Sequence, residues 1–313
     1  MIRVCILGLG YRSKYFVDAI GMIDDIEIVG ALVRDKNTIY EPLKAYNINL
    51  TTNKEDIISL KPNFIINTSS KKVNTALSAF FLEKGIPVLQ ETPIALEDDL
   101  IDSMMKYKGL YQIAEQYQFY DYFIRIKEYI EKGYLGDIES ITFSYAHDYH
   151  GISIIRHILG DFKALSITGS SFKENITHTR TRYDEFHDGM IKQYSTKHLF
   201  INWDNIKVIY DFNSEEYRSH IRNPYLVIHG SRGEIINDTI RYLDEDNNYR
   251  MDTIEGYNSF DDLIPVKRVI LKMIDFYKTK KEFYPLEYAR DDSKLSIIMN
   301  GFDENLKTVN YNK

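Results

Sequence analysis

Two short stretches hold residues whose types and spacing can do chemistry. The first is Gly8-Leu9-Gly10-Tyr11-Arg12-Ser13. It follows the apolar, β-branched run Ile2 to Leu7 and precedes a helical pattern through Tyr15, Phe16, Ala19 and Ile20. Glycines at such a strand end let the backbone approach a pyrophosphate, while the helix that follows offers free N–H groups and the positive end of its dipole. Gly8, Gly10, Tyr11, Arg12 and Ser13 are therefore read as a dinucleotide-binding turn. Ser13 stands where the fingerprint has a third glycine or alanine, and it is small enough for close helix-to-strand packing. The second stretch is His147-Asp148-Tyr149-His150. Histidine titrates near neutrality, so this pair can exchange a proton with a substrate hydroxyl, with Asp148 or Tyr149 orienting it. The same residues also read as a polar loop with helix-capping duty. A His-x-x-His spacing without a clear third ligand supports zinc poorly, and no metal is expected.

Two groups of cations bear on the choice of ligand. The apolar run Ile26 to Val33 completes a strand–turn–helix–strand unit. Val33 occupies the position where an NAD-specific protein places an acidic residue for the ribose 2'-hydroxyl, and Arg34 comes next. An arginine there accepts a 2'-phosphate, which tilts the expected cofactor from NAD toward NADP; the plain alternative is a solvated charge. His178, Arg180 and Arg182 alternate with Thr179, Thr181 and Tyr183, placing three basic groups on one face of an expected strand. Turned into a cleft, that face with Arg180 suits an anionic, sugar-like substrate. Turned outward, it is a solvated edge or a subunit contact.

The elements that position these residues alternate through the first 118 positions. Thr52-Asn53-Lys54-Glu55 reads as a capping box opening a helix through Ile57 and Leu60. Strands are expected at Phe64 to Asn67, Pro87 to Gln90 and Tyr111 to Ala114, with helices between them. Such alternation gives a parallel sheet covered on both faces, with ligands at the carboxyl ends of its strands. Thr68, Ser69, Glu91 and Gln116 stand at those ends and join the expected cofactor site. After Gln118 a helix from Tyr122 to Lys132 leads into a succession of short strands, including Ala164 to Ser170, His178 to Tyr183, Met190 to Ser195 and His198 to Trp203. A short helix is expected over 151–159, and two more over 261–277 and 292–306. The fold class is thus α/β: an N-terminal Rossmann domain, 1–118, and a C-terminal α+β domain, 119–313, with a large, mostly antiparallel sheet.

At 313 residues with 44% apolar composition, each domain can bury a core. A formal charge of -7 gives no general attraction to nucleic acid or anionic membrane, so neither partner is expected. The single cysteine, Cys5, lies inside the first strand, which suits a reducing compartment. No signal-peptide pattern opens the chain and no apolar run approaches the ~18 residues of a membrane span. A cytoplasmic location is expected.

The Gly8-Leu9-Gly10 turn, Gly85-Ile86-Pro87-Val88 leading to Glu91-Thr92-Pro93, the turn Lys132-Gly133-Tyr134-Leu135-Gly136-Asp137, and His150 before Arg156-His157-Ile158-Leu159-Gly160 together resemble the glucose-fructose oxidoreductase / inositol dehydrogenase (Gfo/Idh/MocA) family. The resemblance spans nearly the whole chain. It implies hydride transfer between NAD(P) and a hydroxyl-bearing carbon of a sugar-like or hydroxy-acid substrate, in a cleft between nucleotide domain and sheet. It also implies a homodimer or homotetramer formed through the C-terminal sheet. The family histidine aligns with His150, which becomes the expected acid/base, with His147 and Tyr149 as substrate contacts. The lysine of the family's Glu-Lys-Pro loop is replaced by Thr92, which can hydrogen-bond and position a hydroxyl but brings no positive charge. The family's aspartate three residues after the histidine is Ser153, and its Thr-Pro-Asn-x-x-His loop reads Thr68-Ser69-Ser70-Lys71-Lys72-Val73. Two other readings accommodate these departures. One is a transient-redox enzyme that oxidises, eliminates and re-reduces; the other is a non-catalytic NAD(P)-binding sensor.

Overall fold

The computed structural model describes residues 1–163, 165–181, 184–215, 219–259 and 261–311. The chain divides into two compact units, Met1–Tyr120 with Phe260–Lys294, and Asp121–Ser259 with Leu295–Lys313.

The first unit is built on a six-stranded parallel sheet in the order β3-β2-β1-β4-β5-β6. Its strands are β1 (Ile2–Leu7), β2 (Ile26–Leu32), β3 (Leu50–Thr51), β4 (Phe64–Asn67), β5 (Val88–Gln90) and β6 (Tyr111–Ile113). Apart from β3, these are the apolar runs expected from the sequence; two residues are too few to show a period. β1 lies at the centre, with Leu7 level with Leu32 on one side and Asn67 on the other. The direction of winding reverses between β1 and β4, and ligands of such sheets sit at that switch point, beyond the carboxyl ends. Helices α1 (Tyr11–Ile20), α2 (Lys54–Ser59), α3 (Asn74–Glu83) and α4 (Asp98–Met104) connect the strands. Helix α2 is capped one residue later than expected and without the reciprocal bond of a capping box, the Asn53 N–H donating to the Thr51 hydroxyl at 3.0 Å. Asn53, not Thr52, is the N-cap of α2, its side-chain oxygen accepting from the Glu55 N–H, while its amide bonds Asp56 at 3.2 Å.

The second unit holds a nine-stranded sheet, antiparallel except where β10 runs parallel to β7. Helix α5 (Asp121–Glu131) leads to β7 (Ile138–Ser144), and α6 (Asp148–Leu159) follows. The sheet continues through β8 (Leu165–Thr177), β9 (Ile191–Trp203), β10 (Ile206–Asn213), β11 (Tyr225–Gly230), β12 (Gly233–Ile236), β13 (Thr239–Leu243) and β14 (Tyr249–Thr253). Two expected strands, Met190 to Ser195 and His198 to Trp203, are one strand, β9. Over the described part of the expected strand His178 to Tyr183, residues 178–181, no strand forms. The β8–β9 ladder ends in a loop in which the Thr181 N–H bonds the Asp184 carbonyl and Asp188 caps the Met190 N–H, so only Arg180 bridges, to Glu185. Arg182 and Tyr183 lie outside the described residues, as does Ala164 at the start of another expected strand.

The chain then returns to the first unit as α7 (Leu263–Thr279), followed by α8 (Leu286–Asn300), which begins six residues before the expected Asp292. This departs from a second domain running over 119–313. α7 carries Val266, Val269, Ile270 and Met273 at helical spacing, and they share one core with Phe16, Val17, Ala19 and Ile20 of α1. The last strand, β15 (Lys307–Tyr311), pairs antiparallel with β8. Among the described residues no helix is long and apolar enough to cross a membrane.

Candidate functional site

The turn after β1 is shaped by its two glycines in different ways. Gly8 has φ +84°, and a Cβ there would stand 2.9 Å from the Ser69 Cα. No L side chain fits. Its N–H donates to the Leu32 carbonyl at 2.8 Å, and Thr68 bonds back to the Leu7 and Gly8 carbonyls. Gly10 is extended, and a Cβ there would meet nothing within 4 Å. Neither backbone conformation nor internal packing demands a glycine at position 10, and the space over the start of α1 would admit an outside group. Gly10 caps α1 without a side-chain hydrogen bond, so the first-turn N–H groups have no side-chain cap. This open cradle fits a dinucleotide pyrophosphate. Ser13 is fully buried and donates to the Gly10 carbonyl at 2.5 Å, filling the small-residue position of the fingerprint. Tyr11 bonds the Tyr15 hydroxyl at 2.8 Å and sets its ring edge against Tyr40. Ser69 is held by the buried Asn67, whose amide in turn bonds Ser78 and the Asn74 carbonyl of α3.

Three of the expected cofactor residues converge on one charge network. Arg12 donates from Nε to Glu91 at 2.8 Å and from Nη1 to Asp262 at 2.6 Å. Gln116 reaches the same Asp262 at 3.4 Å, and the Tyr120 hydroxyl donates to it as well. Burial works against the charge on Arg12, but the carboxylates of Glu91 and Asp262 outweigh it and hold the guanidinium pKa above its ordinary value. Burial first, and then the Asp262 charge, push the Tyr120 phenol far up. The network ties the glycine turn to the loop after β5. That loop, Glu91-Thr92-Pro93, has a cis Thr92–Pro93 bond. The buried Gln90 braces it by donating to the Pro93 and Ile94 carbonyls, both at 2.9 Å, and Ser293 accepts from the Ile94 N–H at 3.1 Å. Thr92 itself is 5% exposed. Asp262 and Tyr120 carried no sequence signal, since they meet Arg12 only through the return of α7.

In the second unit, His147, Tyr149 and His150 stand together, but on a helix and not in a loop. α6 begins at Asp148, three residues earlier than expected, so these residues form its cap and first turn. The His147 and His150 rings lie 5.0 Å apart edge to face, and the buried Tyr149 meets His150 at 5.8 Å. Asp148 has φ +32°, an uncommon conformation for a non-glycine residue. Its N–H donates to the Tyr210 hydroxyl at 2.8 Å, and that hydroxyl donates to the Ala146 carbonyl at 2.9 Å. The Asp148 carboxylate is paired with Lys197 of β9, which also bonds Asn300 at 3.0 Å. Gly151 permits this clamp: a Cβ there would lie 2.7 Å from the Tyr210 ring and 2.8 Å from the Ala146 carbonyl. Ser153 donates to the His150 carbonyl at 2.9 Å, a bond to the helix backbone. Further along α6, burial first and then Lys127 push the pKa of the partly buried His157 down to about 4, which leaves it neutral. Arg180 stands apart from this turn, half-exposed, its Nε 3.8 Å from Glu185. Lys197 and Tyr210 are the residues a linear reading misses; both come from strands remote in sequence from α6.

Residues 2–118 match the profile of the oxidoreductase family with an NAD-binding Rossmann fold. No curated protein sequence matches the chain. Among solved structures, an oxidoreductase from Agrobacterium radiobacter, in complex with NAD+, L-tartaric acid and magnesium, superposes with a TM-score of 0.74 at 13% identity, covering 98% of each chain. A myo-inositol dehydrogenase from Corynebacterium glutamicum gives 0.71 at 13% identity, over 100% of this chain and 99% of that one. A biliverdin reductase from Synechocystis, in complex with biliverdin and NADP+, gives 0.70 at 12% identity, over 96% and 98%. At such identities these likenesses speak to the fold. The NAD-binding profile of that oxidoreductase family thus takes in the glycine turn and the rest of the parallel-sheet region, and the solved structures share the fold of the whole chain.

Proposed function

We propose that this oxidoreductase moves hydride between NAD(P) and a CH–OH group of a sugar-like or hydroxy-acid substrate. The observation that carries the reading is Gly10, a glycine that the protein's own packing does not demand, beneath space over α1 that would admit an outside group. Gly8, Gly10, Tyr11 and Ser13 would hold the pyrophosphate end, with Arg12, Glu91, Gln116, Thr68 and Ser69 shaping the walls. The nicotinamide, when bound, supplies the hydride acceptor or donor. His150 takes the hydroxyl proton as hydride leaves the carbon, since an imidazole can accept a proton near neutral pH. Thr92 positions the reacting hydroxyl through a neutral hydrogen bond. Tartaric acid in the Agrobacterium structure supports a hydroxy acid as one substrate class, and Arg180 is the cation proposed for its carboxylate. The exposed cation Arg34 favours NADP over NAD.

We also propose self-association through the open face of the second unit's sheet. Phe200 and Ile209 are 52% and 39% exposed there and paired across β9 and β10. Their row continues through Thr142 and Val227 to Ile236.

The test of the chemistry is His150→Ala. Turnover should fall by about two orders of magnitude or more, with nicotinamide-nucleotide affinity within about twofold of wild type. Unaltered turnover would remove His150 from the mechanism.

A further inference from the structure

Four cations gather at one place in the first unit. Arg34 and Lys36 follow β2; Lys71 and Lys72 follow β4. These two strands flank β1, and their ends, Leu32 and Asn67, are level with the same residue, Leu7. All four side chains are exposed, and none forms an ion pair or hydrogen bond among the described residues. Some lysines of this unit are paired, Lys14 with Asp18 and Lys44 with Glu41 among them, while others such as Lys61 and Lys267 are not, so what sets these four apart is their gathering at the ends of the two strands that flank β1. In a chain of net charge -7, four exposed cations gathered at the ends of the two strands on either side of β1 make a place suited to an anion.

The geometry narrows which anion. Strands lie about 4.8 Å apart, so the ends of β2 and β4 are about 10 Å apart across β1, within the joint reach of an arginine and a lysine side chain. Lys71 and Lys72 also sit in the turn that opens α3, where the Ser70 carbonyl accepts from the Val73 and Asn74 N–H groups. Val73, at the N-cap of α3, makes no side-chain cap, although the Asn74 side chain accepts from the Thr75 N–H at 2.7 Å, and the positive end of the helix dipole lies on the same side as the lysine charges. Asp35, the nearby carboxylate, accepts from the Asn37 N–H at 2.9 Å and turns into its own loop.

We infer that Lys71 and Lys72 complete, with Arg34, a two-loop seat for the 2'-phosphate of the dinucleotide's adenosine, and so determine selection of NADP over NAD. The inference rests on the nucleotide reading of the Gly8–Ser13 turn. A phosphate monoester carries close to two negative charges. Arginine grips it with a planar fork, and the lysines add point charges from the opposite strand end.

The experiment is equilibrium titration of the full chain with NADPH, NADH, 2',5'-ADP and 5'-ADP, comparing wild type with Lys71→Ala/Lys72→Ala and with Arg34→Ala. For the double lysine variant, affinity for NADPH and 2',5'-ADP should fall about tenfold or more. Affinity for NADH and 5'-ADP should stay within about twofold. Arg34→Ala should give the same pattern, and the salt dependence of NADPH binding should become shallower in both variants. Equal weakening of NADH and NADPH would assign the lysines to the pyrophosphate or to the general field and overturn the inference. No change in either would show ordinary solvated lysines and overturn it too. Wild type binding NADH as tightly as NADPH would end the inference while leaving the nucleotide reading intact, whereas failure to bind either would end that reading itself.

Discussion

Gly8 and Gly10 stand two residues apart and answer to different demands. A methyl at Gly8 strikes the Ser69 backbone at 2.9 Å in a left-handed conformation, so Gly8→Ala should destabilise the protein by about 1–3 kcal/mol in chemical denaturation. A methyl at Gly10 meets nothing, so Gly10→Ala should unfold like wild type while losing about tenfold or more in NAD(P)H affinity. Loss of stability in the second variant, or unchanged binding, would contradict this division. The glycine turn was legible in the sequence because everything that makes it is local: a strand, two glycines and a helix start. The Arg12 network was not. Its partner Asp262 lies 250 residues away and meets Arg12 only in three dimensions. Cys5 gave a clear signal: burial pushes its thiol up to about 12, as suits an inert core residue.

At the scale of elements, α6 presents the histidine pair. The sequence pattern places its start three residues late because the usual marker is missing: His147 makes no side-chain cap, and Asp148 enters the helix at positive φ. What fixes the turn instead is Tyr210 on β10, with Lys197 on β9, and neither can be inferred from the helix's own sequence. Tyr210→Phe removes the hydroxyl that bonds both the Asp148 N–H and the Ala146 carbonyl. Stability should fall by about 1–3 kcal/mol, and turnover should fall well beyond any change in nucleotide affinity. Turnover that survives the loss of stability would show that this clamp does not serve His150. The shifted cap of α2 has a similar origin: Thr51, Asn53 and Asp56 bond one another, so a chain rich in capping residues offers several registers and side-chain contacts choose among them.

For the molecule as a whole, a parallel first sheet and a mostly antiparallel second sheet could be read from apolar runs and turn residues, whereas the two-residue β3 and the order of the strands could not. The return of α7 to the first unit could not, because an amphipathic helix states that it must be covered and not by what. The same limit applies to the sheet face carrying Phe200 and Ile209. Phe200→Lys should leave nucleotide binding intact and reduce the mass found by sedimentation to that of one chain. A wild-type protein already monomeric would refute the self-association. The central claim, that the first unit binds a nicotinamide dinucleotide and uses it in hydride transfer, is tested most directly by titrating the purified protein with NADPH and NADH. Nicotinamide fluorescence is followed throughout, and hydroxy acids, sugars and their keto forms are then added. Saturable binding is expected, tighter for NADPH, with loss or gain of the reduced-nicotinamide signal on adding at least one of these compounds. No saturable binding of either nucleotide would contradict it.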